Sequence, residues 1–135
     1  MANPAESIGN AFAAGALGGL ANAAAVWGFG VWGLTAALDV AIAPALTKGM
    51  VYQRMVWGGI WGFLFLLPAL RSSVWGRGLL WSLGPTLVQL LYVFPVKAGR
   101  GYLGLELGLF TPLFVVVFNA VWGWAAALWL RAAGR

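Results

Sequence analysis

Few residues in this chain have chemistry to offer, and their spacing is suggestive. Asp39 and Glu106 are carboxylates in the body of the chain, and Glu6 in the N-terminal tail is the third acid. Asp39 lies 21 residues after Gly18 of a Leu-Gly pair, and Glu106 lies 22 after Gly84 of another. A proline follows each acid, at Pro44 and Pro112. Carboxylates at membrane depth are costly and usually functional. A matched pair of them therefore reads as a site for a cation or a proton. The ordinary alternative for Asp39 is to cap a short helix beginning at Val40, and Glu106 has the same option before Leu107. Ion pairs with Lys48 or Arg100 at headgroup level are a further alternative.

Arg54 sits about one turn inside an apolar run. Its long stem allows it to snorkel to the interface. It could instead anchor an anionic headgroup or substrate, or pair with Asp39 or Glu106. Asn22, Gln89 and Asn119 interrupt three other apolar runs. Hydrogen bonding between helices is the usual role of such amides, and lining a polar path is the other. Together Asp39, Glu106, Arg54, Asn22, Gln89 and Asn119 form the candidate path for a small ion or solute.

Other chemistry is narrowed by omission. The sequence has no cysteine and no histidine. Thiolate and imidazole metal sites, disulfides and His-based triads cannot be built from it. No nucleophile–base constellation is visible either, so no enzyme, cofactor or metal site is read. The net charge of +5 comes from basic residues scattered between apolar runs. That is the pattern of headgroup anchors and not of a nucleic-acid surface.

What must position these residues is a membrane bundle. The 135 residues are 62% hydrophobic and 8% charged, against roughly 25% charged in a soluble domain. A spanning helix needs about 20 mostly apolar residues, and four segments meet that: Ala11–Trp32, Met50–Leu70, Leu79–Val96 and Leu109–Leu130. The connections Gly33–Gly49 and Gly99–Gly108 are too apolar for plain loops and too short to cross. Each reads as an interfacial helix or a re-entrant segment.

The halves also share landmarks. Beyond the Leu-Gly pairs and the acids, Val56-Trp57-Gly58 matches Val121-Trp122-Gly123, and each half ends on an arginine, Arg71 or Arg131. A duplication over residues 11–71 and 79–131 would put two spans in each repeat. Such repeats are parallel, related by an axis along the membrane normal. The termini and the Arg71–Gly78 connection then share one side with Arg71, Arg77, Arg131 and Arg135. Lys48, Arg54, Lys97 and Arg100 take the other. The balance gives the positive-inside rule no purchase.

Small residues mark the packing. Gly15, Gly18, Gly19 and Asn22 form one face of the first helix, a signature of close helix contact within a bundle or with another subunit. Of the nine tryptophans, Trp27, Trp32, Trp57, Trp75, Trp81 and Trp129 fall near span ends, as an interfacial belt does. Pro85 is the expected kink, with Thr86 at hand to satisfy freed backbone.

The expectation is thus a single all-α transmembrane domain over residues 1–135, with four transmembrane helices as two parallel two-helix repeats joined by short amphipathic or re-entrant segments. A bacterial inner membrane suits it. The leading functional reading is an oligomeric channel or transporter for a small ion or solute. The alternatives are a structural or accessory subunit of a larger membrane complex, and a protein that binds lipid or another apolar ligand. Its partners would be membrane lipid and either further copies of itself or other membrane subunits.

Overall fold

A computed structural model describes residues 3–134, which are all-α and contain no strand. Arg135, one of the basic residues weighed above, lies outside the described residues. Helix α1 runs Pro4–Val31. It starts there because the Asn3 side chain accepts from the Glu6 N–H at 2.8 Å and Pro4 occupies the first turn, where a missing N–H costs nothing. A single turn, α2 (Leu34–Ala37), follows a left-handed Gly33. Helix α3 (Lys48–Trp61) is capped by Thr47, which accepts from Met50 N–H. Helix α4 (Val74–Val88) is capped by Ser73 in the same way. Helix α5 (Thr111–Ala132) opens on a Thr-Pro pair.

Among the described residues three helices, not four, are long and apolar enough to cross a membrane: Pro4–Val31, Val74–Lys97 and Thr111–Ala132. The expected span Met50–Leu70 is the one that falls short. Its α-helix ends after 14 residues, short of the about 20 that a spanning α-helix needs. The winding tightens to a 3-10 helix over Gly62–Leu66 and stops at an extended Leu67. Pro68 forces that extension, since the residue before a proline is pushed out of the helical region. Gly58, Gly59 and Gly62 weaken the helix just upstream.

The expected kink site, Pro85, lies inside α4. Helix α4 continues through Pro85 and changes to π winding over Gln89–Lys97. Pro95 lies inside that wider helix, where the absent N–H and the bulk of the ring are accommodated by the altered register.

Helix α1 packs against α3 and α5, and α4 packs against α5. All three pairings are antiparallel. As numbers rise along α1 from Gly15 to Gly19, the facing residues of α3 fall from Gly62 and Gly58 to Met55 and Arg54. The same holds for Gly18–Trp122 and Asn22–Phe118 between α1 and α5. Gly78–Gly123 and Thr86–Asn119 show it between α4 and α5. Gly15, Gly18, Gly19 and Asn22 are all buried, and they meet α3 and α5 of the same chain. The close packing of α1 on α5 has no comparable counterpart between α3 and α4 among the described residues.

Both long connections lie at one end of the bundle and are tied together there. The Ala41 N–H donates to the Leu107 carbonyl at 2.9 Å. Residues 40–47 are not helical. Instead Val40 is buried with Val26, Phe114 and Phe118, with Ile42 and Met50 packed against them. The Thr35 hydroxyl secures this fold-back by donating to the Ile42 carbonyl at 2.7 Å. The second connection holds a 3-10 segment, Tyr102–Leu107, in which Leu103 and Gly104 are left-handed. Leu103 and Leu107 rest on Leu90, Phe94 and Val115. The two connections form a cap over this end.

Candidate functional site

The amides within the helices assemble into a polar layer. Asn22 of α1 donates through Nδ2 to the Phe118 carbonyl of α5 at 2.8 Å, and its Oδ1 accepts from Arg54 Nη1 of α3 at 2.6 Å. One residue further along α5, Asn119 Nδ2 donates to Thr86 Oγ1 at 3.1 Å and to Gln89 Oε1 at 3.3 Å. Thr86 therefore serves Asn119 and not the backbone released by Pro85. The two clusters flank α5 at the same level and draw on α1, α3, α4 and the start of the π-helix. Asn22 lies nine residues before the end of α1, so the layer is roughly 14 Å inside that helix end.

Glycine sets the geometry that makes this possible. A Cβ on Gly19 would stand 2.9 Å from the Met55 Cα and press against the Arg54 carbonyl. Only a residue with no side chain lets α3 come close enough for Arg54 to reach Asn22. A second tie lies on the next turn. The Trp122 indole N–H is shared by the carbonyls of Gly15, at 3.1 Å, and Gly58, at 3.3 Å. Trp122 is 3% exposed, so it belongs to the core and not to an interfacial belt. Trp27, Trp32, Trp57 and Trp75 are exposed. Trp81 and Trp129 are partly buried against the core.

Electrostatically the layer is positive. Arg54 is half-buried and is held by a neutral amide, a charge-assisted bond of about 1.5–3 kcal/mol. No carboxylate pairs with it among the described residues. Asp39 and Glu106 are exposed in the cap. Asp39 is not the N-cap of a helix: it follows α2, has φ 58°, and donates its own N–H to the Ala36 carbonyl. Left-handed backbone suits aspartate better than most residues. Glu106 lies within the 3-10 segment, its carboxylate beside Gly101. The structure thus brings Asn22 to Arg54 and Gln89 to Asn119. It leaves Asp39 and Glu106 in the cap, where Gly108 touches the Asp39 carbonyl and the backbone, not a carboxylate pair, joins the two segments.

Sequence reasoning passed over Arg77, grouped above with the headgroup anchors. It is only 5% exposed. Its Nη2 donates to the Phe65 carbonyl at 2.8 Å, and its guanidinium carbon lies 5.2 Å from the centre of the Phe65 ring. The available signal was its place four residues after the Ser73 cap, one turn into a helix beginning beside Arg71.

Comparison of the chain with protein-family models, with curated proteins and with solved structures gives no match.

Proposed function

We propose that this protein is an integral membrane channel or transporter for a small anion, working as a homo-oligomer in a bacterial inner membrane. The observation that carries the reading is the Arg54 guanidinium, inside the bundle, held by the Asn22 amide and not by an acid. A buried charge without a counter-charge attracts one, and amides from neighbouring helices stand at the same level to share an anion's hydrogen bonds. The sequence pointed to a cation site at Asp39 and Glu106. Their exposure in the cap favours the opposite sign for whatever reaches the layer.

Oligomerisation is part of the proposal because of the glycine contacts. Gly15 on Gly58 and Gly78 on Gly123 hold helices backbone to backbone, leaving no room for a bore between those pairs. A path that reaches the half-buried Arg54 would run between copies. Helical construction supports the inner membrane, because spans of the outer membrane are β-barrels.

The test is flux in liposomes carrying the purified protein. Chloride and nitrate should pass faster than potassium. Arg54→Gln should slow the anions about ten- to a hundredfold, the value of a lost charged hydrogen bond. Asp39→Asn combined with Glu106→Gln should leave the rate nearly unchanged. Potassium flux lost with the two acids would replace this reading by the cation path. Absence of flux, with other subunits held in stoichiometric amounts after mild extraction, would replace it by the accessory-subunit role. A bound apolar molecule in the extract without flux would favour ligand binding.

A further inference from the structure

An apolar plug seals the polar layer on its cap side. One helical turn from Asn22, Arg54 and Phe118 towards the cap stand Val26, Met50 and Phe114. Val40 is buried among Val26, Phe114 and Phe118, and Ile42 packs against them beside Met50. Val40 and Ile42 come from the first connection and not from a spanning helix. The connection therefore fills the centre of the plug. On the far side, the Trp122 indole and the glycine contacts close the layer. Asn22 is buried between the two closures, and Arg54 reaches in to it from a half-exposed place on α3.

The plug is lightly held. Among the described residues, the backbone N–H groups of Ile42, Ala43, Ala45 and Leu46 have no hydrogen-bond partner, and Pro44 has no N–H to offer. Val40 N–H donates to the Thr35 carbonyl at 2.9 Å, and the Thr35 hydroxyl donates to the Ile42 carbonyl. Both bonds stay inside the connection. One hydrogen bond among the described residues, from Ala41 to Leu107, ties residues 34–46 to chain outside the connection. Few bonds and exposed backbone are the marks of a segment with low local stability.

We propose that the first connection is a lid: residues 38–46 swing off the bundle and open the Asn22–Arg54 pair to water from the cap side. Withdrawal of Val40 and Ile42 removes the centre of the plug, and apolar constrictions that wet on opening are a form of gate. The lid rests on the anion reading only for what enters, a small anion drawn to Arg54. The opening itself belongs to the fold and needs no transport.

The test uses the whole chain in nanodiscs. The sequence has no cysteine, so one introduced thiol reports on one place. Val26→Cys puts it under the lid, where the native side chain is 2% exposed. Val115→Cys is the control, at a side chain 1% exposed beneath the second connection. A charged, membrane-impermeant thiosulfonate reads how fast water reaches each thiol. Thr35→Val is then added to both, removing the hydroxyl that holds the Ile42 carbonyl. It should speed the reaction at Val26→Cys about tenfold, the worth of one buried hydrogen bond, and leave Val115→Cys unchanged. No acceleration at Val26→Cys overturns the proposal, and so does equal acceleration at both positions. Hydrogen exchange on the chain without cysteine repeats the test with no reporter. The Val40 and Ala41 amides should exchange at least about tenfold faster than those of Val26 and Phe118, and equal protection would overturn the lid. Flux bears on the anion reading alone. A lid that opens in a protein passing no anion still stands, and one that stays shut in a protein passing anions falls.

Discussion

Gly15→Ala tests most directly how this bundle is held together. A Cβ at Gly15 would press on the Gly58 carbonyl oxygen, 2.8 Å from the Gly62 Cα and 2.9 Å from the Gly58 carbonyl carbon. Ordinary contact begins at 3.4 Å, so α3 must move off α1 by at least about 0.5 Å. All of these neighbours are backbone, and none can turn aside as a side chain would. Forcing an extra carbon into a packed interior costs about 1–3 kcal/mol. The movement also strains the Trp122 indole, which bonds both facing carbonyls. Loss of one such buried bond adds about 1 kcal/mol. The expected destabilisation is therefore about 2–4 kcal/mol. Gly28→Ala on the same helix is the control. Nothing lies within 4 Å of a Cβ there, and alanine's helix propensity favours it by up to about 1 kcal/mol. The assay is unfolding of the purified protein in mild micelles by added dodecyl sulfate, followed by circular dichroism. The reasoning fails if Gly15→Ala unfolds within about 0.5 kcal/mol of wild type, or if Gly28→Ala loses as much as Gly15→Ala.

Two further outcomes are expected in the same assay. Asn22→Ala removes the amide that holds Arg54 and should cost about 1.5–3 kcal/mol, while adding Arg54→Met to it should cost little more, a coupling of at least about 1 kcal/mol; simple additivity would show that the contact carries no energy. Leu70 is exposed with φ 51°, so Leu70→Asn should gain about 0.5–1 kcal/mol by placing a tolerant residue in left-handed backbone, and a lower unfolding midpoint would count against that.

The parts of the architecture that depend on one helix face were legible in the sequence. Gly15, Gly18, Gly19 and Asn22 recur at helical spacing, and that spacing alone puts them against neighbours. Amides isolated in apolar runs have to find one another, and Gln89 and Asn119 do. What depends on backbone winding was harder to read. Met50–Leu70 has the composition of a span, but its glycines serve close approach to α1 and its Pro68 ends the helix. Hydropathy counts residues and is blind to both. The burial of Arg77 was hard to read for a related reason. The stacked Phe65 ring and carbonyl that bury it arrive from a segment 12 residues away. Asp39 and Glu106 matched in number, but the connections around them fold differently, one extended and one turning through left-handed residues.

The Trp122 indole also bears on the order of synthesis. It joins carbonyls that precede it by 107 and 64 residues. Chains are made from the N-terminus, so α1 and α3 are complete well before the side chain that pins them is translated. Until α5 enters, the first hairpin relies on its glycine contacts and the Arg54–Asn22 bond, and the Asn22 Nδ2 waits for its carbonyl on Phe118. The last helix thus works as a closing latch, and a chain cut short before it would give the cell's membrane proteases an unpinned hairpin.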